Sequence, residues 1–101
     1  DDEPEAEQEP IGIWGQRHLR YIREHRRNLQ HELLITGKLN GYLIDIDREA
    51  EDMFLRLVDN MAESVGITEQ LKADNQMEWV RRMNNIRSRA IKIVNDTLIY
   101  N

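Results

Sequence analysis

From Leu39 onward, Leu39, Leu43, Ile46, Ala50, Met53, Leu57, Asn60 and Ser64 follow one another at alternating steps of four and three. Apolar groups at that spacing fall on one side of an α-helix and on no face of a strand. A second row, Ile44, Leu55, Val58 and Ala62, widens the apolar side beyond a single seam. A helix wetted on its far side needs one stripe, whereas this stretch has contacts for two neighbours and is expected to be the central element. No segment alternates with period two, so the chain needs no strands.

The flanking sequence divides the rest. Pro10-Ile11-Gly12 is a break, after which Leu19, Ile22, Leu29 and Leu33 recur at helical spacing with Arg26 on the same stripe. Gly37 then suits a left-handed C-terminal cap, as Gly66 does after the central stretch. Thr68 is placed to cap a further helix, with Glu69 in its first turn. Trp79, Val80, Met83, Ile86, Ala90, Ile93 and Val94 form its apolar face as far as about Leu98. Asp74-Asn75, both weak helix formers, mark the easiest place for a break in it. The connections at Gly37 and Gly66 are short enough to make successive helices antiparallel neighbours. The expectation is an all-α fold, an antiparallel three-helix bundle over 14–36, 39–65 and 68–98, forming a single domain 14–101 behind an acidic flexible tail, 1–13.

Composition narrows the chemistry. Among 101 residues there is no cysteine, which excludes disulfides, thiolate metal sites and cysteine nucleophiles. No run of about 18 apolar residues is present to span a membrane. The net charge of −5 conceals a contrast, because residues 1–9 carry six acids and no base. That acidic stretch reads as a solvated leader or as a polyanion mimic that covers a basic face. Residues 17–38 hold six bases against two acids, 39–66 seven acids against two bases, and 67–101 six bases against four acids.

Several runs resemble a known family. Pro10-Ile11-Gly12, Tyr21-Ile22-Arg23-Glu24-His25-Arg26 and Gly37-Lys38-Leu39-Asn40 are similar to segments of the TnpV family of small transposon-encoded proteins. So is Asn75-Gln76-Met77-Glu78-Trp79-Val80-Arg81-Arg82-Met83-Asn84-Asn85-Ile86-Arg87, the longest and most specific of them. The resemblance covers about residues 10–101. It implies a bacterial, cytoplasmic protein carried by mobile elements, with no defined biochemical activity and no catalytic residues to carry over. It also implies a short further segment ahead of the acidic stretch.

The residues themselves offer two basic rows. Arg20, Arg23, Arg27 and His31 lie within about 80° of arc on the first helical stretch, with Arg17 at the edge, roughly opposite its apolar stripe. Such a row suits phosphates along a duplex, an acidic protein partner, or a solvated face paired with Glu24 and the acidic central helix. Arg81, Arg82, Arg89 and Lys92 form a second row, with Glu78 and Asp96 interleaved for i,i+4 pairing. Asp47 and Arg87 fall on apolar faces, and the expectation is an interhelical ion pair from Asp47 to Arg87 or Arg26.

Active-site readings find little support. Asp45 and Asp47 are two residues apart on a helix and point about 160° apart, so they cannot share a metal or a proton. His18 and His25 sit roughly 10 Å apart along their axis, too far for one ion, and His31 points elsewhere. Met53, Met61, Met77 and Met83 fit core filling. No phosphate-binding glycine loop or activated serine is present. The chain is therefore read as a non-enzymatic protein without cofactor, metal or small-molecule substrate. Its expected partners are DNA or a recombinase, bound through the arginine rows, and the alternative is a helical interaction or oligomerisation module without a nucleic-acid role. Trp14, Leu34 and Ile35 lie off the main stripe, which suits either loop capping of the bundle ends or a homodimer contact.

Overall fold

A computed structural model describes residues 10–101, all of whose regular structure is helical. The acidic stretch 1–9 lies outside the described residues. Ile11 and Gly12, assigned above to the tail, are half-buried. The elements are α1 (Ile13–His25), α2 (Arg27–Ile35), α3 (Leu39–Ser64), α4 (Glu69–Asp74), α5 (Gln76–Val94) and a π-helical turn, Asn95–Ile99.

The central helix and both glycine stops are as expected. Gly37 and Gly66 have φ of +72° and +76°, a region open to glycine at no steric cost. Lys38 N–H donates to Leu33 C=O and Gly37 N–H to Leu34 C=O; Ile67 N–H donates to Ala62 C=O and Gly66 N–H to Glu63 C=O. These paired 6→1 and 5→2 bonds satisfy carbonyls that a helix end leaves open. At the next start, Thr68 Oγ1 accepts the Leu71 N–H at 3.2 Å, and Asn75 Oδ1 accepts the Glu78 N–H at 3.2 Å.

The three-helix bundle needs correction, because the described residues build five α-helices. The first expected helix breaks at Arg26, whose backbone leaves the helical region at φ −136°, ψ 57°. Its guanidinium Nη1 donates to the carbonyl of Asn101 at 3.1 Å, so a contact from the far end of the chain accompanies the break. The last expected helix divides at Asn75 into α4 and α5, where the asparagine both interrupts and recaps the backbone. Beyond Val94 the hydrogen bonding widens, and Tyr100 N–H reaches back to Asn95 C=O at 2.8 Å.

Burial follows α3, which packs against both α1 and α5. Near its N-terminal half, Trp14, Ala50, Val94 and Ile99 form one buried cluster, joined by Ile46, Met53 and Leu98. Farther along, Val58, Ile86 and Ala90 form a second with Met61, Ile67 and Met83, and Phe54 and Leu57 touch both. Ile22, Leu43, Val94 and Ile99 are the largest fully enclosed side chains. Enclosing each stabilises the fold by about 1.5–3 kcal/mol. Among the described residues α1 and α5 make no backbone contact with each other; α1 instead meets the π-turn that continues α5. That departure from side-by-side packing leaves the outer faces of α1 and α5 open to water.

Candidate nucleic-acid interface

The exposed face of α1 is set by what holds its inner face. Trp14, Gly15, His18 and Ile22 are buried. Gly15 lies so close to α3 that a Cβ there would meet the Leu43 carbonyl oxygen at 2.9 Å and Ile11 Cγ2 at 2.5 Å. Trp14 Nε1 donates to Glu51 at 2.9 Å. His18 Nδ1 lies 2.7 Å from the Ile99 carbonyl, and its Nε2 lies 2.8 Å from the Tyr42 hydroxyl. A carbonyl only accepts, so Nδ1 carries the proton; in neutral His18, Nε2 then accepts the Tyr42 O–H. Burial raises the Tyr42 hydroxyl above its ordinary pKa, against a smaller opposing pull from the Arg26 charge. Tyr21 stacks beside His18 and meets Tyr100, so the chain's C-terminal turn is pinned along α1.

Against this anchored helix, Arg20 and Arg23 of α1 are exposed, whereas Arg27, exposed too, opens α2 beyond the break at Arg26, so the expected row does not lie on one continuous helix. None of them has a carboxylate partner among the described residues, and Glu24 lies 3.8 Å from His25 rather than on the arginine row. His31 is exposed on α2. Arg17 belongs elsewhere: half-buried, it donates to Asn95 Oδ1 at 3.0 Å and lies 5.1 Å from the centre of the Trp14 ring. It ties α1 to the π-turn.

The α5 row is differently balanced. Arg81 and Arg82 both bind Glu78, Arg82 Nε at 2.7 Å. Those hydrogen bonds hold the Glu78 carboxyl below its ordinary pKa. Lys92 Nζ pairs with Asp96 at 3.2 Å. Arg89 is exposed with no carboxylate partner among the described residues. Arg81, Arg82 and Arg89 border an open cleft of about 550 Å³ whose remaining lining includes Val65, Ile67 and Ile86.

The expected ion pair of Asp47 with Arg87 or Arg26 does not form among the described residues. Asp47 Oδ1 accepts the N–H of Gly15 at 2.9 Å, within the first turn of α1, where the unpaired amides and the helix dipole favour an anion. Gly12, the residue before α1, contributes no side-chain cap, and a Cβ on it would come within 2.8 Å of Asp47 Oδ2. The half-buried carboxylate is thus compensated by backbone, while Arg87 is exposed and Arg26 serves the C-terminus. The Asp47 cap and the His18 link were hidden from sequence reasoning, since their partners lie 32 and 81 residues away.

Among the described residues no three His, Asp or Glu side chains converge as metal ligands, and no helix is long and apolar enough to cross a membrane. A family model described as transposon-encoded protein TnpV matches residues 2–99. No curated protein and no solved structure matches the chain.

Proposed function

Because the chain belongs to the TnpV family of transposon-encoded proteins, we propose that it is a non-enzymatic accessory factor that assists element mobility in the bacterial cytoplasm by contacting DNA or its recombinase. Arg20 and Arg23 of α1, with Arg27 at the start of α2, are the leading contact surface. The supporting observation is the contrast between the rows: Arg20, Arg23 and Arg27 are exposed without carboxylate partners among the described residues, whereas Arg81, Arg82 and Lys92 are occupied by Glu78 and Asp96. Guanidiniums without internal counter-charge gain most from a phosphate backbone, because binding releases its condensed counterions.

Duplex-DNA titration across a salt series tests this reading. Each phosphate neutralised steepens the log–log salt slope by about 0.9, so changing Arg20, Arg23 and Arg27 to Glu should remove about 2.7 units of slope. Failure of the wild-type chain to bind duplex at low salt would reject the DNA contact. A second reading, an interaction module without a nucleic-acid role, draws on the exposure of Leu34, Ile35, Met77 and Val80.

A further inference from the structure

The α5 cleft has a counterpart on the outer face of α3. Arg82 and Arg89 are seven residues apart on α5, which sets them about 10 Å apart along its axis. Val65 and Ile67, from the turn between α3 and α4, supply apolar surface beside them, and Val65 is 51% exposed. On α3, Asp52 and Asp59 are also seven residues apart, hence about 10 Å along the axis. Between them is Leu55, 50% exposed on a helix whose other large aliphatic groups are turned inward. Asp52 and Asp59 are exposed with no cationic partner among the described residues; Arg89 has no anionic one, and Arg82 has only the Glu78 carboxylate that it shares with Arg81. The two surfaces are opposite in sign and alike in axial spacing, and each has apolar surface beside its charges; exposed Arg56, between Asp52 and Asp59, leaves the α3 face net acidic.

We propose that the α5 cleft of one copy receives the α3 face of a second copy, with Asp52 and Asp59 against Arg82 and Arg89 and Leu55 against Val65 and Ile67. The cleft is too open for a small molecule to be enclosed, and its mixed lining suits a side chain flanked by carboxylates better than a bare anion. Opposite charges set the register, and removal of Leu55 and Val65 from water supplies the attraction that salt does not screen. The contact closes as a two-fold dimer when both surfaces meet reciprocally, and otherwise adds copies in series. It uses none of Arg20, Arg23 and Arg27, so it stands apart from the DNA reading.

Sedimentation velocity on the full chain at rising concentration and salt provides the test. The wild-type chain self-associates, and added salt weakens the association. Asp52→Arg with Asp59→Arg, and separately Arg82→Asp with Arg89→Asp, each weaken it about tenfold or more. An equimolar mixture of the two double variants recovers it, because every surface then meets its opposite. Circular dichroism shows whether each variant keeps its helices; Leu55→Asp, on an exposed position, gives the same loss of association if a reversal unfolds the chain. A wild-type monomer at millimolar concentration overturns the proposal. So does association indifferent to these changes, or a mixture of folded double variants that stays monomeric. Arg20→Glu, Arg23→Glu and Arg27→Glu together abolish duplex binding and leave self-association unchanged, which separates the two readings.

Discussion

Asp47 on α3 accepts the amide proton of Gly15 on α1 at 2.9 Å, so one helix supplies the N-terminal cap of another. Gly12 cannot supply it, and its missing side chain makes room for the carboxylate. The bond explains how a half-buried acid persists with backbone rather than a cation as its partner.

Replacing Asp47 by Ala should lower stability by about 1–2 kcal/mol, the usual range for losing a cap. Asp47→Asn keeps an acceptor oxygen and gives up only the charge, so a smaller loss is expected. Arg87→Ala should stay within about 0.5 kcal/mol of wild type, as for other exposed positions. Urea denaturation of the three variants compares them directly, and a loss of about 1 kcal/mol or more in Arg87→Ala, equal to that in Asp47→Asn, would restore the ion pair.

Gly15→Ala tests how closely α1 approaches α3. The added Cβ meets Ile11, which can rotate aside, and the Leu43 carbonyl, which is backbone and can move only with its helix. A loss of about 1–3 kcal/mol is expected, typical of overpacking. On a domain of this size each kcal/mol lowers the melting temperature by about 4–8 °C, readable by calorimetry.

His18→Phe should cost about 1–3 kcal/mol by stranding the Ile99 carbonyl and the Tyr42 hydroxyl. Tyr42→Phe removes only the second bond and should cost less. The pH dependence of this link has a definite sign. The folded state holds the Tyr42 proton more tightly than the unfolded chain does, so the contribution is complete below the ordinary tyrosine pKa, near 10. It is lost as pH rises from there through the raised folded value. Stability measured from neutral to alkaline pH should therefore fall more steeply for wild type than for Tyr42→Phe.

Glu78 predicts the opposite direction. Arg81 and Arg82 depress its pKa, so the stability it contributes is present above its ordinary value of 4.5 and fades as pH drops through the lower folded one. Glu78 is half-buried but both its guanidinium partners are exposed, so the effect is small and carboxyl NMR titration is the suitable measurement. Glu78→Gln also frees two guanidiniums, and duplex binding should strengthen severalfold in low salt if α5 joins the DNA surface.

How much of this was readable in advance depends on how local each cause is. The α3 stripe, the stops at Gly37 and Gly66, and the interruption at Asn75 follow from neighbouring residues, and the sequence shows them. The break at Arg26 does not, because no Gly or Pro stands near it to signal a stop and the partner of Arg26 is Asn101. Periodicity places Arg20 and Arg23 on α1 and the second row on α5, but it carries Arg27 and His31 across a break that it does not show. The pairing of Arg82 with Glu78 and of Lys92 with Asp96 could be read from their spacing, but the hold of Asn95 on Arg17 across 78 residues could not.

The anchorage of α1 by Ile99, Tyr100 and Asn101 bears on the order of assembly. During synthesis α1 emerges early, yet the groups that close its inner edge are translated some 80 positions afterwards. α1 therefore gains its full set of partners only once Ile99, Tyr100 and Asn101 are in place, and loss of those three residues would loosen the scaffold that presents Arg20 and Arg23.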